Sequence, residues 1–141
     1  MIAAMTGVPG VFRTIVDAIT GESAAQNITK AGTQTVIRGT AQATRSGGEL
    51  TTHGVPSERI ANEMAASGKY ESVHLNRTVS SITDGEIRSG VRPDVAGVRR
   101  GGGKVDTVEV LSRRQTAAQM ENKISKALGQ NCGTIRCVNP D

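Results

Sequence analysis

Two of the acidic residues within residues 92–111, Asp94 and Glu109, interrupt the short apolar runs that flank a triple glycine. The Gly101-Gly102 pair predicts a hairpin, because glycine reaches the positive φ values that tight turns require. A two-residue turn sets Asp94 directly opposite Glu109, whereas a three-glycine loop would face Glu109 with Val95. Facing residues in such a pair have Cβ atoms about 4.5–5.5 Å apart, and two carboxylates that close repel unless a cation or a proton lies between them. The pattern therefore predicts a metal site on the hairpin.

The hairpin needs neighbouring elements to hold it, and the sequence predicts them in the order helix, three or more strands, helix, strand. The first helix begins at Val55-Pro56-Ser57, where Ser57 can cap it, and ends at Gly68. The last helix is capped by Thr116 and ends at Gly129. Besides the two hairpin strands, short strands are predicted over residues 70–78, 80–87 and 134–138.

Residues before this core have a different composition. Apolar residues at helical spacing predict an amphipathic helix over residues 8–20 that packs against the next segment. Residues 22–45 are rich in Ala, Thr, Gln and Gly, and part of this span is predicted to form a second, weaker helix. Ser46-Gly47-Gly48 is typical of a linker. We therefore divide the chain into a helical connector or docking extension, residues 1–50, and a functional domain, residues 51–141.

The composition predicts one modest domain that is basic and poor in aromatic residues. The 141 residues include one Phe, one Tyr and no Trp, and the formal net charge of +4 suits a polyanionic partner. Cys132 and Cys137 have no CxxC spacing and no nearby His cluster, which excludes a disulfide scaffold and argues against a zinc site. No stretch reaches the length of about 20 apolar residues that a membrane span needs. The amino terminus has no basic region typical of a signal peptide.

Other residues that carry chemistry do not form a catalytic set. His74 and Asn76 share one face of the strand predicted at 70–78, where Asn76 could bind a phosphate and His74 could transfer a proton. A lone strand histidine is more often a hydrogen-bonded structural residue. No Ser/His/Asp grouping and no useful Cys/His pair is present, so covalent catalysis has no candidate residues. The triple glycine lacks the Lys-Ser/Thr and the helix of a P-loop, which favours the turn.

The order of elements and the acidic residues together resemble the PD-(D/E)xK nuclease fold. More closely, residues 55–138 resemble the nuclease toxin domains at the carboxyl ends of bacterial polymorphic toxins, including contact-dependent inhibition and Rhs-type effectors. The most specific parts are Arg92-Pro93-Asp94, the glycine-rich turn and Val108-Glu109-Val110. The resemblance implies an α/β (α+β) fold with a restriction-endonuclease-like core, built as helix, three-stranded meander, helix and strand.

The same resemblance implies a metal centre. Asp94 and Glu109 would hold Mg²⁺ or Mn²⁺ with help from the Val110 carbonyl, and hard divalent cations do prefer such oxygen ligands. Glu63 matches a helical acid that some members use as a further ligand, and it is equally interpreted as a solvent-facing helix residue. A metal held there would activate water and neutralise the charge that develops on the phosphate.

The chain departs from the motif at one position. The lysine expected two residues after Glu109 is replaced by Leu111, which supplies no charge. Gln115 could orient a water molecule but cannot take its proton. Alternatively, Lys123 on the following helix could reach back and stabilise the attacking hydroxide. Both remain candidates.

The resemblance therefore predicts a metal-dependent endonuclease toxin. DNA is favoured over transfer RNA because so few aromatic residues are present to stack unpaired bases. The alternatives are an RNA-cleaving toxin of the same fold, a catalytically degenerate nucleic-acid-binding module, and an interaction domain that docks an acidic protein. Such a toxin would act in the cytoplasm of a target cell and would have an acidic immunity protein. The predicted nucleic-acid contacts are Asn76, Arg77, Arg92, Arg99, Arg100, Lys104, Arg113 and Arg114.

Overall fold

The computed structural model describes residues 13–17, 25–30, 33–42 and 53–140. The strands are β1 (Arg13–Asp17), β2 (Ala25–Lys30), β3 (Thr33–Gly39), β4 (Tyr70–Leu75), β5 (Val95–Arg99), β6 (Val105–Val110) and β7 (Cys132–Val138). The helices are α1 (Gly54–Ala66), α2 (Val79–Ile82) and α3 (Ala117–Leu128), and a 3₁₀ turn at Gly129–Asn131 follows α3.

The strands form one mixed sheet whose spatial order equals the chain order. β3 and β4 are parallel, as are β6 and β7, while the other neighbouring strands are antiparallel. Parallel neighbours need a crossover connection, and α1 lies in the one between β3 and β4, as α3 does between β6 and β7. The predicted α/β (α+β) class is confirmed at this level.

Two hydrophobic clusters lie on the two faces of the sheet, because alternate strand residues point to opposite faces. One cluster joins Ile60, Ala61 and Ala65 of α1 to Val73, Val95 and Val108 of the sheet. The other joins Val79 and Ile82 of α2 and Ile124 and Leu128 of α3 to Ala96 and Val105. Helix α1 therefore packs against one face of the central strands, and α2 and α3 pack against the other.

The strand directions define two ends of the sheet. β3, β4, β6 and β7 run the same way, so their carboxyl termini lie together at what we call the carboxyl end of the sheet. β5 runs in the opposite direction and begins at the carboxyl end, directly after Asp94. The glycine turn between β5 and β6 lies at the other end, the turn end.

The register of the β5–β6 hairpin is the one that a two-glycine turn predicts. Val95 faces Val108, and the Arg99 N–H donates to the Lys104 carbonyl at 2.9 Å. Continuing this register by one residue sets Asp94 opposite Glu109. The alternative register, with Val95 facing Glu109, is wrong.

The helical extension predicted for residues 1–50 is wrong wherever the structure describes it. Residues 13–17 form β1 and residues 25–30 and 33–39 form β2 and β3, while the rest of the predicted helix at 8–20 lies outside the described residues. A short apolar pattern is compatible with the helical period of about 3.6 residues and with the strand period of about 2 residues. Here pairing between strands favours the extended conformation. β3 also pairs with β4 across residue 50, and the two-part division of the chain stays a prediction.

Local backbone chemistry corrects two further details. The strand predicted at 80–87 is wrong, because the Thr78 hydroxyl accepts from the Ser81 N–H and begins the short helix α2. Helix α1 is present as predicted, but His53 and not Ser57 is its N-cap residue, and the Ser57 hydroxyl donates to the His53 carbonyl at 2.7 Å. Thr116 caps α3 as predicted, in a capping box with Gln119.

A buried acid, Asp106 on β6, ties neighbouring strands together at the turn end. Its carboxylate accepts hydrogen bonds from the Tyr70 hydroxyl at 2.8 Å, from Arg99 at 2.7 and 3.0 Å, and from the Thr134 N–H at 2.7 Å. Burial acts to raise the pKa of Asp106, but these donors hold it below its usual range. The Tyr70 ring is consequently fixed in position.

We expect Gly97→Ala to destabilise the protein by about 2 kcal/mol, the size of a typical overpacking effect. A Cβ at Gly97 would lie 2.7 Å from Cδ1 of Tyr70, whose ring cannot yield because its hydroxyl is bound to Asp106. Urea unfolding measures this change. Gly90→Ala is the matched control, because a Cβ there meets nothing within 4 Å; equal stability of the two variants would contradict the prediction.

Candidate active site

Asp94 and Glu109 come together at the carboxyl end of the sheet. The Asp94 N–H donates to Oε2 of Glu109 at 2.9 Å, and the Val110 N–H donates to Oδ2 of Asp94 at 2.8 Å. Each carboxylate therefore accepts a backbone N–H from the opposite strand. This reciprocal bonding holds both side chains at the point where the regular β5–β6 ladder ends.

Pro93 explains why the ladder ends there. In an antiparallel pair, alternate facing residues exchange both backbone hydrogen bonds, and in this register Pro93 faces Val110 at such a position. Proline has no N–H, so it offers no ladder donor to the Val110 carbonyl. The Val110 N–H donates to Asp94 instead, and its carbonyl has no ladder donor from Pro93.

The acid pair is electrostatically unfavourable as it stands. Glu109 is only 2% exposed, and burial together with repulsion from Asp94 raises its pKa to about 7. Burial also raises the pKa of Asp94, although the Val110 N–H bond and the nearby His53 and Lys123 act against this. One buried and one half-buried carboxyl group, both with raised pKa values, form a site that a bound cation would stabilise.

Two basic side chains approach the acid pair. Lys123 of α3 is exposed, and its charge acts to lower the pKa of both Asp94 and Glu109, against the larger effect of burial. His53, at the start of α1, has its Nδ1 atom 4.0 Å from Oδ2 of Asp94. The sequence reasoning missed His53, because only the tertiary structure brings the start of α1 to the hairpin.

The donor set suits a hard divalent cation. Within the described residues, no group of three or more His, Cys, Asp or Glu side chains is arranged to hold a metal ion. The oxygen ligands that could hold one are the carboxylates of Asp94 and Glu109 and the carbonyl of Val110. Mg²⁺ commonly keeps several water ligands and takes only one or two carboxylates, so these residues fit Mg²⁺ or Mn²⁺.

Two predicted site residues have other contacts in the structure. Glu63 is exposed ten residues along α1 from His53, which corresponds to about 15 Å of helix, and it lines a cavity with Tyr70 and Asp106. The side-chain oxygen of Gln115 accepts from the Ser112 N–H at 2.9 Å and so stabilises the bend before α3. No bond between either residue and the acid pair is present among the described residues.

Three of the predicted nucleic-acid contacts lie at the turn end of the sheet, where they stabilise the fold. Arg99 forms an ion pair with Asp106 at 2.7 Å. Arg100 donates to the carbonyls of Gly68 and Gln34, and Lys104 donates to the carbonyl of Gln130. Arg99 is five residues along the chain from Asp94, which corresponds to about 17 Å of extended chain. Arg99, Arg100 and Lys104 are therefore remote from the acid pair.

The remaining predicted contacts lie at the carboxyl end. Arg92 precedes the acid pair and donates to the Asn76 carbonyl at 2.8 Å. The Asn76 N–H donates to the Asp94 carbonyl at 3.1 Å. Arg113 and Arg114 are exposed in the loop between β6 and α3. The basic residues thus divide into a structural set at the turn end and a second set at the carboxyl end of the sheet.

His74 is buried on β4 and bonded on both ring nitrogens. Its Nδ1 atom lies 3.0 Å from Nη1 of Arg77, and its Nε2 atom lies 3.0 Å from the Ser72 hydroxyl. Burial and the charges of Arg77 and Arg38 lower its pKa to about 3. His74 is therefore the neutral, hydrogen-bonded residue that the sequence favoured over an acid–base catalyst.

Comparison with family models, with curated proteins and with solved structures returned no match. Among the described residues, no helix has both the length and the apolar character needed to cross a bilayer.

Proposed function

We propose that the protein is a metal-dependent nuclease whose catalytic centre is the Asp94–Glu109 pair. The observation that carries this proposal is the pairing itself: the buried carboxyl group of Glu109 and the half-buried one of Asp94 each accept a backbone N–H from the opposite strand, and Pro93 offers no ladder donor to the Val110 carbonyl. Structural acids are normally neutralised by a partner, as Asp106 is by Arg99. Glu109 has no such basic partner at ion-pair distance among the described residues, and the raised pKa values of Asp94 and Glu109 support a site that binds a cation from solution.

The order of elements supports the same proposal. From α1 onward the chain runs helix, three antiparallel strands, helix and a last strand parallel to the third, apart from the short α2. We therefore assign residues 54–138 to a restriction-endonuclease-like core. The acid pair lies on the second and third of these strands, where the motif of such nucleases requires it.

Each residue of the site then has a distinct role. Asp94, Glu109 and the Val110 carbonyl would hold Mg²⁺ or Mn²⁺, which when bound lowers the pKa of a water ligand and neutralises charge on the phosphate. Lys123 takes the electrostatic role of the lysine missing at Leu111, because its charge already acts on both carboxylates. Arg113 and Arg114 would bind the phosphate backbone from the adjacent loop.

Cleavage assays test the proposal directly. Purified protein is incubated with plasmid DNA and with total RNA, each with Mg²⁺, with Mn²⁺ and with excess EDTA. We expect cleavage that needs the metal, with DNA preferred. Cleavage in EDTA equal to that in Mg²⁺ would exclude a metal-dependent mechanism.

Leu111 favours one other function, a nucleic-acid-binding module that has lost the chemistry. Half-buried Leu111 occupies the lysine position and its backbone N–H donates to the Val138 carbonyl at 2.8 Å, so it contributes no charge to a reaction. Metal-independent binding of DNA without any cleavage of DNA or RNA would select this second function.

We expect Lys123→Gln to lower kcat by about 10²-fold, the usual size of a lost electrostatic contact to the transition state. Adding Leu111→Lys to this variant places a positive charge at the end of β6 and should recover part of the lost kcat. The matched control is Lys126→Gln, also on α3. Unchanged kcat in Lys123→Gln would show that this lysine has no role in the reaction.

The biological context that we propose is that of a delivered toxin with an acidic immunity protein. Expression of the chain inside bacteria from a repressed promoter should stop growth on induction, whereas the Glu109→Gln variant should permit it. Equal growth arrest by the wild type and by Glu109→Gln would show that toxicity does not depend on cleavage at the acid pair.

A further inference from the structure

A second cavity lies beside the acid pair at the carboxyl end of the sheet. It has a volume of about 220 Å³ and is lined by Gly39, Thr40, Leu75, Asn76, Arg77 and Arg92. Its walls come from the ends of the parallel strands β3 and β4 and from the segment before β5. Two arginines and no carboxylate are among these lining residues, so the cavity is electropositive in character.

Each of these arginines has an uncharged acceptor. Nη1 of Arg92 donates to the Asn76 carbonyl at 2.8 Å. Nη1 of Arg77 lies 3.0 Å from Nδ1 of His74, and because a guanidinium can only donate, Nδ1 is the acceptor. The proton of neutral His74 is therefore on Nε2, which donates to the Ser72 hydroxyl. This arrangement orients Arg77 through a group that carries no negative charge.

Glycine at position 39 is required by this arrangement. Gly39 has φ +85°, and a Cβ there would lie 2.8 Å from Cγ of Arg77 and would also meet the Leu75 carbonyl. The stem of Arg77 thus crosses the end of β3 where a side chain would otherwise lie. Residues before the predicted boundary at position 50 therefore help to shape the cavity.

Asn76 connects the cavity to the acid pair. Its φ of 51° turns the chain after β4, and its N–H donates to the Asp94 carbonyl at 3.1 Å while its carbonyl accepts from Arg92. One residue thus contacts both Asp94 and an arginine of the cavity. A group bound in the cavity would be positioned relative to the carboxylates by these bonds.

We propose that this cavity is a phosphate subsite, which binds the phosphate next to the one cleaved at Asp94 and Glu109. Guanidinium donors are well suited to phosphate oxygens, and Thr40 and Asn76, which also line the cavity, carry neutral donor groups. That the bound phosphate belongs to a nucleic-acid strand rests on the proposed function. That the cavity binds phosphate is independent of the proposed function. His74 acts as a positioning residue for Arg77.

Titration with inorganic phosphate, followed by NMR, tests the subsite without any cleavage. We expect shifts of the backbone amides of Gly39, Thr40 and Asn76 in the wild type. Arg92→Gln should weaken phosphate binding about tenfold, whereas Arg88→Gln, which removes the same charge from the same loop, should not. No shift of these amides, or equal weakening by both variants, would overturn the proposal.

Binding of a 20-base-pair DNA duplex to the Glu109→Gln variant, in EDTA, tests the role in substrate binding. Adding Arg92→Gln should weaken binding about tenfold and reduce the salt dependence by about one released counterion, while adding Arg88→Gln should change neither as much. If phosphate shifts the cavity amides but no nucleic acid is bound or cleaved, the subsite stands and the nuclease proposal fails. If DNA is cleaved but Arg92→Gln binds normally, the subsite fails alone.

A pair of variants separates positioning by His74 from mere packing. His74→Asn keeps an acceptor near the place of Nδ1, whereas His74→Leu removes it. We expect phosphate affinity to fall about tenfold in His74→Leu and to be largely retained in His74→Asn. Equal affinity in the two variants would contradict the positioning role.

Discussion

We expect Glu109→Gln and Asp94→Asn each to lower the rate of phosphodiester cleavage by about 10³-fold. Several kcal/mol of transition-state stabilisation come from a metal ion at such a site, and each 1.36 kcal/mol corresponds to about tenfold in rate. Replacing one carboxylate by an amide removes a charged ligand and half of the protein's negative charge at the site. Single-turnover cleavage of plasmid DNA in Mg²⁺ measures the loss.

Both amide substitutions preserve the local hydrogen bonds, which makes the test specific. In Glu109→Gln the new side chain keeps an oxygen to accept from the Asp94 N–H, and in Asp94→Asn it keeps one for the Val110 N–H. Glu58→Gln, an exposed substitution on α1, is the matched control and should cleave like the wild type. Wild-type rates in either site variant, with an unchanged circular dichroism spectrum, would refute the assignment of the acid pair.

The stability of the metal-free protein depends on pH through the same glutamate. The pKa of Glu109 is raised from 4.5 to about 7, so the folded state retains a proton that the unfolded state releases. Stability from this group is therefore present below pH 4.5 and is lost as pH rises to about 7. At 1.36 kcal/mol per pKa unit, the loss is about 3 kcal/mol.

His74 acts in the opposite direction over part of this range. Its pKa is lowered to about 3, so the unfolded state gains a proton below about pH 6.5 while the folded state does not, and stability falls with decreasing pH. The two contributions oppose each other between about pH 4.5 and 6.5. The informative quantity is therefore the difference in stability between Glu109→Gln and the wild type, in which the His74 contribution cancels.

We expect this difference to grow by about 3 kcal/mol in favour of Glu109→Gln between about pH 4.5 and 8, measured by urea unfolding in EDTA. At about pH 8, Mg²⁺ at 100 times its dissociation constant should stabilise the wild type by about 2.7 kcal/mol and the variant much less. A difference that is independent of pH would show that Glu109 is not a buried carboxylate with a raised pKa. Equal stabilisation of both proteins by Mg²⁺ would place the metal elsewhere.

Much of the candidate site was predictable because it is built within one hairpin. The glycines at the turn set the register of β5 and β6, and counting from them places Asp94 opposite Glu109 before any long-range contact is considered. The start of α3 follows equally from local chemistry, since Thr116 and Gln119 cap each other. Both inferences need only residues close together in the chain.

The roles of the basic residues were not predictable in the same way. Arg92 and Arg99 lie near opposite ends of β5 and look equivalent in the sequence. The fold bonds Arg99 to the buried carboxylate of Asp106, whereas Arg92 lines the cavity beside Asp94. Which arginine neutralises a buried acid depends on strand pairing and burial, and neither is visible in charge alone.

Local sequence alone specifies the mixed fold class, the β5–β6 hairpin and the acid pair that it carries, because turn chemistry and helix capping act over a few residues. The strands at residues 25–30 and 33–39 emerge only in the folded chain, since their extended form depends on pairing with each other and with β4. The same holds for the approach of His53 and Lys123 to the acid pair and for the space that Gly39 leaves for Arg77. Contacts between residues far apart in the chain arise from packing of the whole sheet.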